Sequence, residues 1–316
     1  MGLVFNRDFE PRYGEAVPVA PGVRRITAPN AGPFTFQGTN TFIIGEKAVA
    51  VLDPGPADTA HIEAVMRAIG GARVAHILVS HAHTDHSAAA PLLKARTGAP
   101  VLTAAPATAP HRRSAGATLD AGTDEAFAPD RVLADGDIVE AGGLRLEAVA
   151  TPGHASDHLV LALLGENLLF SGDHVMGWAT TVVAPPDGSM IDYMASLDRL
   201  LGRPEKRYLP AHGGEIADGH AHVRALRTHR RMRERAILDR LRRGDRFIPD
   251  IVRAVYRSVD VRLAPAATLS TLAHLEALVA RGLAVADGVP DLDSAYSLAE
   301  SRAEDAADSA AVPGSS

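Results

Sequence analysis

Short apolar runs alternate with glycine-containing turns over residues 41–210, and apolar residues recur at helical spacing between them. Such runs predict strands, and the helical spacing predicts amphipathic helices. Two groups of strands with interspersed helices indicate two stacked sheets covered by helices on the outside. Residues 104–130 show no clear period and predict a long surface excursion. The predicted strands are 41–53 (two strands joined by a turn), 74–79, 131–133, 138–140, 144–150, 159–164, 167–171 and 207–210, and the predicted helices are 59–69, 87–96 and 191–201.

The pattern changes near residue 219. An arginine-rich helix is predicted at 220–243, two more helices at 249–259 and 265–281, and a strand with a turn at 282–288. Three helices closed by a small hairpin outline a winged helix-turn-helix. The end of the chain is rich in alanine, serine and acidic residues, which is typical of disorder. We therefore predict a first domain over 1–218, a winged-helix-like domain over 219–290 and a disordered tail over 291–316.

Composition narrows the class of protein. A net charge of −6 argues against a protein that coats nucleic acid, and the absence of cysteine excludes disulfides, thiolate catalysis and cysteine-based zinc fingers. The first ten residues do not resemble a secretory signal, and no apolar run reaches the roughly 18–20 residues that a membrane span needs. We expect a cytoplasmic protein without a membrane partner.

The densest group of candidate ligands is His81-Ala-His83-Thr-Asp85-His86, which follows the predicted strand 74–79. Imidazole and carboxylate are ligands that suit a borderline divalent metal such as zinc. Active-site loops are commonly mounted on the end of a rigid strand in this way. The cluster therefore predicts a metal site.

Three further candidates, His154, Asp173 and His212, each follow a predicted strand. Ligands from several strand ends form an open site, which suits catalysis better than a closed structural site. Two metals about 3.5 Å apart can share a hydroxide that becomes a nucleophile near neutral pH. Asp85, Asp173 and His212 are then the candidate catalytic residues. The predicted groups are His81, His83 and His154 for one metal, Asp85, His86 and His212 for a second, and Asp173 as a bridge between both.

A histidine outside such a cluster is more often a capping or surface residue than a ligand. Asp173 alone, or the turn Thr151-Pro-Gly alone, would also be ordinary in a loop. It is their combination with the six-residue cluster that makes the metal interpretation strong. The histidines that we interpret as ordinary residues are His61, His76, His111, His220 and His222.

Four motifs resemble the ligand motifs of the metallo-β-lactamase superfamily, over about residues 20–218. The resemblance implies an α/β fold of the four-layer αββα sandwich type and a binuclear site that commonly holds zinc. We therefore expect two divalent metal ions, zinc above all. The motifs are His81-x-His83-x-Asp85-His86, Thr151-Pro-Gly-His154, Ser171-Gly-Asp173 and Ala211-His212-Gly.

Further segments resemble the beta-lactamase-like protein 2 family, which implies an endoribonuclease specific for single-stranded RNA. By position, Asp157 and His158 would orient ligands through hydrogen bonds, and Asn40 would lie near the mouth of the site. Thr181 and Tyr193 would contact substrate. The segments are Gln37-Gly-Thr-Asn40-Thr, Thr180-Thr181-Val, Asp192-Tyr193-Met and the winged-helix-like region.

The substrate is less constrained than the metal site. The β-lactamases of the superfamily generally lack an aspartate where Asp173 stands, which favours phosphodiesterases and thioester hydrolases over β-lactamases. Our first choice of substrate is a phosphodiester such as single-stranded RNA, which the family resemblance implies. The alternatives are a glyoxalase II-like hydrolase of small thioesters or esters with promiscuous β-lactam hydrolysis, and a non-catalytic winged-helix nucleic-acid-binding protein with structural metals. A homodimer is compatible with the C-terminal region.

Ten arginines between Arg224 and Arg246 bear on this choice. They form either a face that attracts phosphates or an ordinary solvated helix surface. An aromatic content of 4% offers few platforms for stacking bases, which argues against tight binding of single-stranded RNA.

Overall fold

A computed structural model describes residues 3–105, 122, 124, 127–257 and 260–299. Most of the predicted surface excursion at 104–130 lies outside the described residues, as does residue 111, a predicted ordinary histidine. Residues 300–316 of the predicted tail lie outside them too.

The first sheet contains seven strands in the order β1 to β7. Strands β1 to β4 are antiparallel neighbours, whereas β4 to β7 run parallel, so that the carboxyl ends of those four lie at one edge. Helices α1 to α3 connect the parallel strands. The elements are β1 (Val17–Ala20), β2 (Val23–Thr27), β3 (Asn40–Gly45), β4 (Ala48–Leu52), α1 (Thr59–Ile69), β5 (Arg73–Leu78), α2 (Thr84–Ser87), α3 (Ala90–Thr97), β6 (Val101–Ala104) and β7 (Arg131–Leu133).

The second sheet contains five strands in the order β12-β11-β10-β9-β8. Strands β11 and β12 are parallel, and the other neighbours are antiparallel. A bridge between Thr39 and His212 joins the ends of the two sheets. The elements are β8 (Ile138–Ala141), β9 (Leu144–Ala150), β10 (Leu159–Leu163), β11 (Leu168–Gly172), α4 (Met190–Leu201) and β12 (Arg207–Pro210).

Four layers result from how the apolar faces pack. Phe42 of the first sheet contacts Phe170 of the second at a centroid distance of 5.1 Å, within a core shared by both sheets. Helices α1 and α3 cover the outer face of the first sheet. Helix α4 and the C-terminal helices cover the outer face of the second. This order of layers confirms the predicted αββα sandwich.

The C-terminal region has its own core around Tyr296, which is fully buried. The segment Val261–Ala280 is apolar and long enough to span a membrane by length and composition, but 61% of its most apolar window is buried, as in a core helix. The elements are α5 (Gly219–Arg242), α6 (Ile248–Val255), the short 3₁₀ turn Val261–Leu263, α7 (Ala264–Ala280), β13 (Ala284–Ala286) and β14 (Tyr296–Leu298). Three helices and a hairpin confirm the predicted winged-helix outline.

Two predictions need correction. The helix predicted at 87–96 begins later, as α3 at Ala90, because Pro91 suits only the first turn of a helix, and Ser87 instead ends the separate short helix α2. Residues 291–299 are not part of a disordered tail, since β14 pairs with β13 and buries Tyr296. Helix α5 begins at Gly219, and the domain boundary predicted there stays a prediction.

His274 lies in the middle of α7 with 1% of its surface exposed. Neither ring nitrogen has a hydrogen-bond partner in the described part of the chain. Burial, with the nearby Arg230, His229 and Arg233, lowers the pKa of His274 to about 3. The folded protein therefore holds this imidazole neutral at pH values where the unfolded chain would protonate it.

We expect His274 to make the protein sensitive to mild acid. Its contribution to the free energy of unfolding is complete above pH 6.5, the ordinary pKa of a free histidine, and is lost as pH falls toward about 3. At pH 5 the loss from this one group is about 2 kcal/mol. Urea unfolding at pH 7 and pH 5 should show a smaller loss for His274→Leu than for the wild type. Equal losses would contradict this account.

Candidate metal centre

Asp53, at the end of β4, anchors the loop that carries the first ligand cluster. Its carboxylate accepts hydrogen bonds from the Ser80 backbone N–H at 2.7 Å and from the Ser80 hydroxyl at 2.9 Å. The Nδ1–H of His86 lies 3.2 Å from the same carboxylate. Asp53 is not among the residues predicted for the site. The Asp53-Pro-Gly turn could have indicated this residue. Asp53 lies in the left-handed backbone region with φ of 49°, which is uncommon for a residue other than glycine.

The first predicted group, His81, His83 and His154, converges at one point. His83 Nδ1 lies 2.9 Å from His81 Nε2 and 3.2 Å from His154 Nε2. Burial and the neighbouring histidines lower the pKa of His81 well below its usual range, and burial and His154 lower that of His83 to about 4. Three neutral imidazoles are the form that binds a metal ion.

The second predicted group, Asp85, His86 and His212, converges beside the first. Asp85 Oδ2 lies 3.3 Å from Nε2 of both His86 and His212. Asp85 and His86 lie on the short helix α2, whereas His212 follows β12, so this group joins the edges of both sheets.

Asp173 lies between the two groups and gives one oxygen to each. Its Oδ2 is 3.6 Å from His154 Nε2, whereas its Oδ1 is 3.2 Å from His212 Nε2 and 3.7 Å from His86 Nε2. Asp173 Oδ1 and His86 Nε2 are buried without a hydrogen-bond partner among the described residues. Unpaired atoms of this kind facing one another fit a bound cation.

The charges agree with that fit. Burial disfavours the ionised form of Asp173, but His212 and His86 hold its pKa well below the usual range. Burial also opposes the protonation of His212, but Asp173 and Asp85 raise its pKa to about 10. The carboxylates of Asp85 and Asp173 therefore stabilise positive charge between the two ligand groups. A divalent cation among the same atoms would supply it in place of protons.

Hydrogen bonds on the outer side of the histidines fix which nitrogen faces inward. His154 Nδ1 donates to the Val182 carbonyl at 2.7 Å, and His212 Nδ1 donates to the Gly38 carbonyl at 3.2 Å. His81 Nδ1 donates to the Ser80 hydroxyl at 3.0 Å, because that hydroxyl donates onward to Asp53. Nε2 of each of these histidines therefore carries the free lone pair that can bind a metal ion. A hydrogen bond from the other ring nitrogen is the usual support of metal-binding imidazoles.

Two residues predicted to orient ligands, Asp157 and His158, make hydrogen bonds to the backbone of the candidate ligand segments. Asp157 accepts a hydrogen bond from the Ala82 N–H at 2.9 Å, between His81 and His83. His158 Nε2 accepts one from the Asp173 N–H at 3.1 Å. Neither touches a ligand side chain through a hydrogen bond, so their effect is on the position of the chain.

Two other predicted positions differ from expectation. Asn40 does not lie at the mouth of the site, because it is buried and donates to the carbonyls of Pro210 and Gly213, on either side of His212. Tyr193 is fully buried, and its hydroxyl donates to the His174 carbonyl. Thr181 is largely buried, and its hydroxyl donates to the Asp173 carbonyl at 2.7 Å. Since Thr181 also lines the cavity described below, its contact with substrate stays a prediction.

Arg230 of α5 reaches the same loop from the C-terminal region. Its guanidinium donates to the Thr181 carbonyl and lies 5.1 Å above the Tyr193 ring. Arg230 was predicted to belong to an arginine-rich helix surface. The signal against that view was its position on the apolar face of α5 with Val223 and Leu226.

The histidines predicted to be ordinary residues, where described, are not among the clustered ligands. His61 Nε2 lies 2.8 Å from the Thr41 hydroxyl within the first layer, and His222 Nε2 donates to the Met176 carbonyl.

A cavity of about 910 Å³ lies beside the loop that orients His154, because Val182, whose carbonyl accepts from His154 Nδ1, is one of its lining residues. None of the candidate ligands is among its described lining residues. The loop at 31–36, the loop at 176–182 and helices α5 and α7 form its walls. Phe36 and Trp178 stack with ring centroids 4.9 Å apart, and a Cβ on Gly213, the residue after His212, would lie 3.2 Å from the Trp178 ring. The stacked pair therefore separates the ligand loop from the cavity. The other aromatic side chains of the walls are Phe5, Phe34 and Tyr256.

Residues 34–212 match the family model described as "Metallo-beta-lactamase superfamily". The chain belongs to this superfamily. Residues 248–290 match a second model, "Beta-lactamase associated winged helix domain". The predicted resemblance is confirmed, and the chain is a hydrolase of a superfamily that typically binds divalent metals.

Named relatives agree with this assignment. "Lactamase-like protein adaB" of Aspergillus niger is 33% identical, over 74% of this chain and 68% of its own length. "Beta-lactamase-like protein 2 homolog" of Caenorhabditis elegans is 31% identical, over 74% and 76%. An "Atrochrysone carboxyl ACP thioesterase" of Aspergillus chevalieri is 30% identical, over 81% and 82%.

Solved structures share the fold. A beta-lactamase domain protein from Burkholderia ambifaria has a TM-score of 0.76 at 24% identity, over 92% of this chain and 96% of its own. A metallo-beta-lactamase family protein from Thermus thermophilus has a TM-score of 0.71 at 24% identity, over 88% and 99%. The likeness extends through the C-terminal helices.

Asp173→Asn should weaken the binding of divalent metal by both ligand groups, about ten- to hundredfold each. The substitution keeps the size of the side chain but removes the charge that both groups share. Metal analysis after dialysis against a graded chelator measures the effect. Asp198→Asn is the control, because Asp198 is exposed on α4 and pairs with Arg227. Retention of the wild-type metal content by Asp173→Asn would contradict the bridging role.

Proposed function

We propose that this protein is a hydrolase of acyl thioesters that works with two zinc ions. The cavity beside the ligand groups carries this proposal. Its walls are mainly apolar and aromatic, which suits an acyl group. Thioester hydrolysis adds water across the bond between the carbonyl carbon and sulfur, and it releases a carboxylic acid and a thiol.

His81, His83 and His154 would hold one ion, and Asp85, His86 and His212 the other. Asp173 would contribute to both. A set rich in imidazole and without thiolate suits zinc. Divalent ions bound there would polarise the substrate carbonyl and lower the pKa of a water molecule.

The acidic ligands have separate tasks in this proposal. Asp85 keeps 13% of its side chain exposed, and its Oδ2 accepts a hydrogen bond from the Thr39 hydroxyl at 3.1 Å. This oxygen would accept a proton of the attacking water. Asp173, fixed at its backbone by His158 and Thr181, would hold the two ligand groups in register. His212, which faces both carboxylates, would fix their separation.

Names of relatives support the choice of thioesters. Three of them are called "Atrochrysone carboxyl ACP thioesterase", at 28–30% identity to this chain. The substrate in these names is that of the relatives and is not assigned to this chain. We carry over from them only the class of reaction, attack on a thioester carbonyl.

The arginines of the C-terminal region favour thioesters over RNA. Arg230 and Arg233 line the cavity and do not belong to an outer face of α5. Three other arginines of α5 form ion pairs with carboxylates of the protein, which reduces the positive charge available to phosphates on the predicted face. Those pairs are Arg227–Asp198, Arg240–Asp245 and Arg242–Asp239. Cleavage of single-stranded RNA and a homodimer stay predictions from the sequence.

Assays of the zinc-loaded protein test this function. We expect turnover of an aromatic acyl thioester of N-acetylcysteamine, and slower or no turnover of S-lactoylglutathione, nitrocefin, bis-p-nitrophenyl phosphate and labelled single-stranded RNA. Asp85→Ala should lower kcat/KM at least about a hundredfold, because it removes a ligand and a proton acceptor. Asp198→Ala serves as the surface control. Cleavage of RNA without turnover of any thioester would overturn the proposal.

A further inference from the structure

Several residues that line the cavity beside the metal centre carry buried polar atoms without hydrogen-bond partners in the described part of the chain. Five such atoms belong to residues that line it, and none has a hydrogen-bond partner within the described ranges of the chain. An unsatisfied buried donor costs free energy, so a group of them on one cavity wall points to a ligand with acceptor atoms. They are Trp178 Nε1, His229 Nδ1, Arg230 Nε, Arg233 Nε and Ser270 Oγ.

Arg230 and Arg233 each use one terminal nitrogen to hold the guanidinium in place, and their other nitrogens can donate to a ligand. Arg230 is only 4% exposed, and one terminal nitrogen donates to the Thr181 carbonyl. Arg233 donates from Nη1 to the Val255 carbonyl at 2.7 Å, and its guanidinium lies 4.4 Å above the Tyr256 ring. Fixed guanidinium groups bind anionic oxygens with little further loss of entropy.

The charge on the cavity wall is unbalanced. Among the described lining residues the carboxylate is that of Asp260, and it is paired with Arg262 at 2.7 Å. Arg230 and Arg233 make backbone contacts, which leave their positive charge uncompensated. A buried charge of this kind is stabilised by an opposite charge. The missing partner is therefore an anion.

We propose that this cavity binds the acyl group of the substrate and selects acyl groups that carry a carboxylate. This inference rests on the thioesterase function proposed above. The apolar body of the acyl group packs between the Phe36–Trp178 pair and Tyr256. Its carboxylate accepts hydrogen bonds from Arg230, Arg233 and Trp178, beyond the reacting thioester. Arg233 is the specificity-determining residue, because Arg230 also supports the loop at Thr181.

The position of Trp178 gives a direct readout, because it is the single tryptophan of the chain. Its fluorescence reports on the cavity whether or not a thioester is hydrolysed. We would titrate zinc-loaded protein with 4-phenylbutanoate and with its neutral amide, exciting where the phenyl ring does not absorb. The acid should perturb the fluorescence and bind at least about tenfold more tightly than the amide.

Substitutions of Arg233 test whether the preference for the acid over the amide arises in the cavity. Arg233→Gln should bind the acid at least about tenfold less tightly than the wild type and the amide equally well, and Arg233→Lys should bind the acid with intermediate strength, because it keeps the charge but not the planar donor set. Arg231→Gln, an exposed neighbour on α5, should match the wild type. A preference for the acid that is as large in Arg233→Gln as in the wild type would place the carboxylate outside the cavity and overturn the proposal. Equal binding of acid and amide by the wild type would overturn it too.

A second comparison separates a carboxylate on the acyl group from a phosphate on the carrier. 4′-Phosphopantetheine should bind no more tightly than pantetheine. An Arg233-dependent gain from the phosphate would show that the cavity binds the carrier, contrary to the proposal. If the acid binds as expected but no thioester is hydrolysed, the cavity assignment stands and the proposed reaction fails.

Discussion

The position of one carboxylate, that of Asp173, organises the functional half of this molecule. Its two oxygens face two different groups of ligands, at 3.6 Å from His154 on one side and 3.2 Å from His212 on the other. Holding an ionised carboxylate in a buried place is costly unless positive charge compensates it. The convergence of strand ends from both sheets provides that compensation, since it brings histidines from β5, β9 and β12 to the same point.

The surroundings of Asp173 are correspondingly rigid. The ring of His158 accepts from its backbone N–H, and Thr181 donates to its carbonyl. The residue before it, Gly172, has φ of 51°, and a Cβ there would lie 2.5 Å from the His158 ring. Glycine is therefore required, because both the backbone conformation and the close approach exclude a larger residue. The centre depends on this turn as much as on the ligands.

The C-terminal region contributes to the site as well as to the fold. Arg230 holds the loop whose next residue, Val182, accepts the hydrogen bond that orients His154. The same helix supplies Arg233 to the cavity. A winged-helix-like region is commonly associated with nucleic acid. Here its long helix α5 places Arg230 against the loop at Thr181 and Arg233 in the wall of the cavity.

The sequence predicted the parts of the site that follow from local pattern. His81 to His86 are adjacent in the chain, and His154, Asp173 and His212 each follow a strand whose apolar run is readable. The structure groups these residues as expected, while their roles as ligands stay predictions. Asn40 and Tyr193 were misplaced because their roles depend on contacts between loops distant in sequence. Arg230 was misread for the same reason, since composition does not show whether an arginine faces solvent.

Anomalous diffraction from crystals of the zinc-loaded protein tests the central claim most directly. The account predicts two anomalous peaks, one within the His81, His83 and His154 group and one within the Asp85, His86 and His212 group. One oxygen of Asp173 should face each peak. A single peak, or two peaks with the Asp173 carboxylate turned away from either of them, would contradict it.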